Sequence, residues 1–251
     1  MILTLCGTGT GVPSLKRNPP CLLMDMGGKK AVFDSGPGAL KTLLSLGVDQ
    51  LNLDLLFYTH LHLDHISELS AILFAAKIPP DIRKKPLYIY GPKGIKDYYD
   101  KLVKLYQETL LTDSYELQIV EIGLKELVIN DFKVSAKPIR HHGGGMGYRV
   151  LTPNGKSLIY SGDVDYCQEI VDLSKDADVL ILECSFPDEL KMDGHLTPAL
   201  AGKIAKMSKA KKLILVHMYP ICDKYDLIAS CRKEFDGEII VGEDLMQLEI
   251  K

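Results

Sequence analysis

Six consecutive residues, His60-Leu61-His62-Leu63-Asp64-His65, place four potential metal donors in one short window. Three of the chain's seven histidines fall there, which makes a plain polar surface loop a poor account of the segment. The apolar run Leu55 to Tyr58 comes just before it. Helical spacing follows, through Ile66, Leu69, Ile72, Leu73 and Ala76, up to Pro79-Pro80. A loop between a strand and a helix can aim alternate side chains at two neighbouring ions. Neutral imidazole and carboxylate are also the donor types that hold zinc in catalytic sites.

The surrounding pattern limits the folds that can present such a loop. β-type runs open the chain at Ile2 to Cys6, Cys21 to Met26 and Lys30 to Phe33, with tight glycine turns between the last two, as in a meander. The spacing predicts a helix over Ala39 to Leu46 closed by Gly47, a strand at Leu53 to Tyr58, a strand at Leu87 to Tyr90 and a helix over Lys93 to Leu105. Phe132, Val134 and Ala136 alternate with Lys133, Ser135 and Lys137, the mark of a half-buried strand with a solvated lysine face. Ser157 to Tyr160, Val179 to Leu182 and Leu213 to Val216 read as interior strands. Thr197-Pro198 reads as an N-cap with proline at N1, opening a helix with Leu200, Ile204 and Met207 on one face. A second helix is expected over Asp223 to Lys233. Strands and helices alternate without a strict βαβ rhythm, so two packed sheets with helices outside are expected rather than a doubly wound sheet.

Length and composition suit one domain over residues 1–251, with 46% hydrophobic and 25% charged residues. The formal net charge of −3 excludes a global positive field for nucleic acid or an anionic membrane and leaves room only for a local basic patch. The N-terminus runs straight into a strand without the basic-then-apolar pattern of a secretory leader. No apolar run approaches the ~20 residues that span a bilayer. Cys6, Cys21, Cys167, Cys184, Cys222 and Cys231 form no CxxC pair, which argues against a thiolate zinc site and for buried, reduced thiols. A cytoplasmic location with no membrane partner is expected.

Further donors sit at comparable places. Asp163 follows Leu158-Ile159-Tyr160-Ser161-Gly162, His217 follows Leu213 to Val216, and His141 and His142 follow the alternating strand. Taken singly, a His or Asp at a strand end is more often structural. The repeated position lets one edge of the sheets gather enough donors for two metals.

These residues resemble the metallo-β-lactamase superfamily, whose hallmark is the HxHxDH motif seen here as His60 to His65. The resemblance covers nearly the whole chain, because the other motifs occur in order. It implies an α/β (α+β) fold, a four-layer αββα sandwich of two mixed β-sheets with helices outside. It also implies two divalent metal ions, Zn2+ first, with Mn2+ or Fe2+ as alternatives. Carried over, it assigns His60, His62 and His141 to the first metal, and Asp64, His65 and His217 to the second, with Asp163 as the bridge. In the branch resembling ribonuclease Z the ligand histidine stands seven positions before the Tyr of a Gly-Tyr pair. Here that pair is Gly147-Tyr148, which selects His141 and leaves His142 beside the ligands or against substrate.

Other features resemble the same branch. Gly7-Thr8-Gly9-Thr10-Gly11-Val12-Pro13-Ser14 is similar to its glycine-rich first motif. Arg17-Asn18 matches the end of its PxKxRN loop, with Leu15 where lysine is expected. Gly162-Asp163, Glu183 and His195-Leu196-Thr197 also fit. Two departures stand out. The long arm that clamps tRNA has no counterpart, since only 22 positions separate His141 from Asp163, and His217 is followed by Met218-Tyr219-Pro220 without the branch's serine and arginine.

The resemblance therefore implies hydrolysis of a small phosphodiester: a cyclic nucleotide, a cyclic phosphate or short RNA or DNA. Two ions about 3.5–4 Å apart lower the pKa of a shared water and supply hydroxide at neutral pH. Asp64 would orient that nucleophile, and His195, held by Glu183, would protonate the leaving group. The alternatives are a tRNA 3′-processing endoribonuclease (ribonuclease Z) and a carbon-ester hydrolase acting on a lactone, thioester or β-lactam. A diiron redox protein is disfavoured by His62, since diiron relatives place a carboxylate there. A non-enzymatic member is disfavoured because every expected ligand has a match. A homodimer is a further expectation, because relatives of this kind often dimerise. Tyr88, Tyr90, Tyr98 and Tyr99 are read as ordinary half-buried tyrosines in preference to a base-stacking wall.

Overall fold

In the computed structural model, which describes residues 1–123 and 126–250, the aliphatic and β-branched runs form two seven-stranded sheets. The first contains β1 (Ile2–Gly7), β2 (Cys21–Met26), β3 (Lys29–Ser35), β4 (Leu53–Phe57), β5 (Leu87–Gly91) and β6 (Leu117–Glu121). The second contains β7 (Glu126–Ile129), β8 (Phe132–Ile139), β9 (Gly145–Leu151), β10 (Ser157–Tyr160), β11 (Val179–Glu183), β12 (Lys212–Val216) and β13 (Glu238–Val241). The last strand, β14 (Met246–Glu249), returns to pair with β1 at the edge of the first sheet. Each sheet is mixed. Pairing is antiparallel from β14 to β3 and from β7 to β10, and parallel from β3 to β6 and from β10 to β13.

Residues on alternate faces of these strands divide the core into three layers. Leu5, Met24, Phe33 and Phe57 meet Val134, Tyr148, Ile181 and Ile214 between the sheets. On the outer face of the first sheet lie α1 (Ala39–Ser45), α2 (Leu63–Ile66), α3 (Glu68–Ala75) and α4 (Ile95–Tyr106), burying Leu43, Leu69, Ile72 and Ile95. On the outer face of the second lie α5 (Gln168–Leu173), α6 (Pro198–Met207) and α7 (Leu227–Arg232), burying Ile170, Ala201, Ile204 and Leu227. The result is the four-layer αββα sandwich.

Local departures from the expected elements have physical reasons. The helix expected from Ile66 starts at Leu63 and breaks at Ser67, so Asp64 and His65 ride on the short α2. The helix expected over Asp223 to Lys233 is a 3-10 turn, Pro220–Lys224, followed by α7, whose N-cap Asp226 accepts a hydrogen bond from Ala229 N. On α6 the buried face is Ala201, Ile204 and Ala205, while Met207 is exposed. Small residues are needed there because α7 comes close: a Cβ on Gly202 would lie 2.7 Å from the Cys231 carbonyl oxygen. The Thr197 side chain makes no capping bond.

Tyr88 and Tyr90 pack at the inter-sheet core, with Tyr90 stacked on Phe57 at 5.0 Å, and Tyr98 and Tyr99 pack on the helix side. Lys133 and Lys137 reach outward to Glu126 and Asp172. All six cysteines are free, and all but Cys167 are buried. No helix among the described residues is long and apolar enough to cross a membrane.

Candidate metal centre

Parallel strands of both sheets release their chains at one shared edge, where side chains just past the strand ends can converge. Thr59 and His60 follow β4, Asp163 follows β10 and His217 follows β12, while His141 follows the antiparallel β8. Cross-sheet hydrogen bonds clamp this edge: Met146 N donates to the Thr59 carbonyl (2.9 Å), and the Tyr148 hydroxyl donates to the Tyr58 carbonyl (2.7 Å). Gly162 makes the approach of Asp163 possible. Its φ is +59°, and a Cβ there would lie 2.5 Å from the Thr59 side chain.

The donors gather around Asp163, which belongs to one group with His60, His62 and His141 and to another with His195 and His217. His60, His62, His141 and Asp163 offer donor atoms within 4.8 Å of one another, as do Asp64, His65 and His217. The Oδ2 of Asp163 lies 3.7 Å from His60 Nε2 and 3.8 Å from His141 Nε2, whereas Oδ1 lies 3.1 Å from Nε2 of both His65 and His217. His62, which is exposed, turns Nδ1 to within 3.3 Å of His141 Nε2. Asp64 Oδ2 lies 3.4 Å from His217 Nε2 and accepts from Gly11 N at 2.9 Å. His142 lies outside these groups, with its side chain 61% exposed.

The far sides of the rings are tied down. His65 Nδ1 donates to Asp34 Oδ2 (2.8 Å), and His141 Nδ1 donates to the Gly194 carbonyl (2.9 Å). Thr59 Oγ1 meets His60 Nδ1 at 3.0 Å, and Ser185 Oγ meets His217 Nδ1 at 3.0 Å. Because Asp34 and the Gly194 carbonyl only accept, Nδ1 of His65 and of His141 holds a hydrogen, and each neutral ring would turn its Nε2 lone pair inward. His60 Nε2 and Asp163 Oδ1 are buried and have no hydrogen-bond partner among the described residues. Converging lone pairs beside an orphaned carboxylate oxygen are unfavourable on their own and complementary to a cation. The donor set therefore fits divalent metal binding.

Electrostatics follow the same geometry. Burial pushes the pKa values of His60, His62 and His141 down and keeps them neutral. Burial would raise Asp163 and Asp64, but neighbouring histidines, His217 first, hold both below the usual carboxylate range. Burial lowers His65, and the carboxylates of Asp163 and Asp34 outweigh it to raise that pKa well above normal. A divalent ion competes with the proton for the same nitrogen.

Asp34 was not expected from sequence. Buried at the end of β3, it accepts from Thr59 N (2.8 Å) and the Tyr160 hydroxyl (2.9 Å) as well as from His65. The signal was available, because Asp34 directly follows the apolar run ending at Phe33, the same position that singled out Asp163 and His217. Asp34 (φ +57°) and His217 (φ +55°) both hold left-handed backbone, a conformation that non-glycine residues keep only where their surroundings enforce it.

Glu183 and His195 meet beside this cluster. Glu183 is fully buried and accepts from His195 Nδ1 (3.1 Å), Val164 N (2.7 Å) and Leu196 N (3.1 Å). It thereby ties the loop after Asp163 to the loop carrying His195. Ser185, also missed in the sequence, donates to Glu183 and contacts His195 and His217. Burial opposes the protonation of His195, and the Glu183 hydrogen bond and charge reverse the balance, raising its pKa. The N-terminal glycine loop is braced by Arg17, which donates to Thr8 Oγ1 (2.8 Å) and the Gly242 carbonyl (2.6 Å). A cleft of about 320 Å³ opens beside His60 and His62, flanked by Lys93, His142 and Gly143.

Comparison with known proteins agrees with this geometry. Residues 30–218 match the family model described as the β-lactamase superfamily domain. The ribonuclease Z of Methanosarcina acetivorans is 26% identical, covering 99% of this chain and 97% of its own. That alignment runs over 302 positions against a chain of 251 residues, so the relative carries residues with no counterpart here. The metallo-β-lactamase fold protein YhfI of Bacillus subtilis superposes with a TM-score of 0.86 at 23% identity, covering 99% of each chain. The short form of human tRNase Z superposes with a TM-score of 0.80 at 25% identity over 100% of each chain.

Proposed function

The chain belongs to the β-lactamase superfamily and is a metal-dependent hydrolase, and from that premise we propose that it cleaves phosphodiester bonds in a cyclic nucleotide, a cyclic phosphate or a short oligonucleotide. The observation that carries this reading is the Asp163 carboxylate, whose two oxygens face two separate histidine groups. His60, His62 and His141 would hold one ion and Asp64, His65 and His217 the other, with Asp163 between them. A nitrogen-rich donor set with carboxylates and no thiolate suits zinc, with manganese or iron as alternatives. Such ions, when bound, make water nucleophilic at neutral pH and offset charge on phosphoryl oxygens.

The chain's own residues do the rest. Asp64, fixed by Gly11 N–H, orients the attacking water. Glu183 accepts the Nδ1–H of His195 and raises its pKa, so the other ring nitrogen carries a proton for the leaving oxygen. The fully buried Glu183 also holds the backbone on either side, which keeps that nitrogen aimed at the Asp163 side of the site.

The small-substrate reading is supported by what fills the chain between the donors. The antiparallel pair β9 and β10 takes up most of the 22 positions between His141 and Asp163, where a tRNA clamp would be inserted. A second reading, tRNA 3′ processing, draws on the ribonuclease Z relative that aligns with 99% of the chain. We read the whole chain as one domain and, from its free thiols, as a cytoplasmic enzyme.

The test is turnover of bis-p-nitrophenyl phosphate, a 2′,3′-cyclic nucleotide and a pre-tRNA, with metal content measured on the same preparation. Turnover of the small diesters at about two metals per chain, lost in Asp163→Ala, supports the reading. Efficient cleavage of pre-tRNA over the small diesters favours the second. Two tightly bound metals with neither activity overturn both and bring carbon esters forward.

A further inference from the structure

Adjacent parallel strands β11 and β12 pair in register, with Glu183 opposite Val216. Phe186 stands three residues past the first and Tyr219 three past the second, so both leave the sheet at the same level. Their rings stack with centroids 4.5 Å apart and planes 19° from parallel. Phe186 meets His195 edge-on at 5.8 Å, and Tyr219 meets His195 at 6.3 Å and His217 at 6.2 Å. The stack therefore borders both the proposed proton donor and a proposed ligand.

Fold stability does not account for these rings. Neither belongs to any of the three hydrophobic clusters, and both stay partly open to solvent. Among the described residues, the Tyr219 hydroxyl has no hydrogen-bond partner. Large aromatic rings held rigidly at the rim of a polar site, and not buried by the fold, offer flat apolar area to a ligand.

We infer that the Phe186–Tyr219 stack is a binding wall for the base of a nucleoside on the leaving-group side of the substrate. The inference rests on the phosphodiesterase reading in one respect, the side on which the leaving group lies. With phosphorus at Asp163 and the leaving oxygen at His195, the substituent on that oxygen runs onto the two rings. Nothing charged is offered by the rings themselves, so a flat neutral group is matched better than a second phosphate. Base–aromatic stacking of this kind changes affinity by about tenfold when the ring is removed.

The experiment is calorimetric binding of AMP and of methyl phosphate to the metal-loaded full chain, with turnover of a 2′,3′-cyclic nucleotide followed in parallel. The wild type should prefer AMP by about tenfold. Phe186→Leu and Tyr219→Leu, which keep apolar volume and remove the ring, should lower that ratio by about tenfold, and Tyr219→Phe should retain it. Metal content and thermal midpoint of each variant separate lost stacking from lost folding, and where one leucine variant is unstable the other carries the test. Equal affinity for the two ligands in the wild type, or an unchanged ratio in both leucine variants, overturns the wall while leaving the hydrolytic reading intact if turnover persists. A ring-dependent preference for AMP without phosphodiester turnover keeps the stacking wall and sinks the phosphodiesterase reading, and with it the placement of the wall on the leaving-group side.

Discussion

Asp34 Oδ2 lies 2.8 Å from His65 Nδ1, in a carboxylate almost wholly removed from solvent. That contact turns His65 Nε2 toward Asp163 at 3.1 Å, and the same carboxylate also holds Thr59, whose hydroxyl meets His60. One residue outside the donor groups thus orients a histidine in each.

Asp34→Asn should weaken metal affinity by about 10–100-fold, the usual effect of removing a carboxylate behind a ligating histidine. Chelator competition measures it. Unaltered affinity would mean that His65 is oriented by packing alone.

His195→Ala should lower turnover by about 10²–10⁴-fold while metal content stays the same. The loss should be smaller with p-nitrophenolate, which leaves without a proton, than with an alkoxide. Metal lost in parallel would instead make His195 a ligand.

The raised pKa of His195 gives the pH profile a definite sign. In the proposed mechanism the acid form donates the proton, so kcat should fall as pH rises through that pKa. Glu183→Gln removes the carboxylate that raises it and should move the alkaline limb to lower pH. A limb that does not move would assign it to another group.

Removing metal should destabilise the chain, because among the described residues no hydrogen-bond partner compensates buried His60 Nε2 and Asp163 Oδ1. At a thousandfold excess over Kd, one bound ion stabilises the folded state by about 4 kcal/mol. The thermal midpoint should drop on dialysis against chelator and return with Zn2+. A midpoint indifferent to both treatments would argue against a metal centre here.

Arg83 should matter for stability and not for chemistry. It is 1% exposed, donates to the carbonyls of Gln50, Leu51, Leu53 and Pro86, and lies 5.3 Å from the Tyr115 ring centroid. Arg83→Met strands those acceptors and should cost about 3 kcal/mol in denaturant unfolding, with activity per folded molecule retained. A loss below about 0.5 kcal/mol, the range of ordinary surface substitutions, would mean that water replaces the guanidinium.

The sequence by itself determined the donor types and the strand-end positions that let one sheet edge gather them. HxHxDH, Gly162-Asp163 and His217 could be read directly because strand periodicity and local glycine geometry are short-range properties. The αββα architecture followed from the lack of βαβ rhythm together with the family resemblance. What only the tertiary structure decided involves residues far apart in the chain. It brought Asp34 behind His65, placed Ser185 against Glu183 and His217, stacked Phe186 on Tyr219, and buried Arg83 against four carbonyls. The break at Ser67 and the burial of Ala201 and Ala205 on α6 in place of Met207 depended on it too. The physical reason is common to all of these. Where a side chain points, and which hydrogen bonds remain open to it, is set by packing between the two sheets and their helices, and local propensity carries no information about a partner such as Asp34, which lies 31 residues from His65.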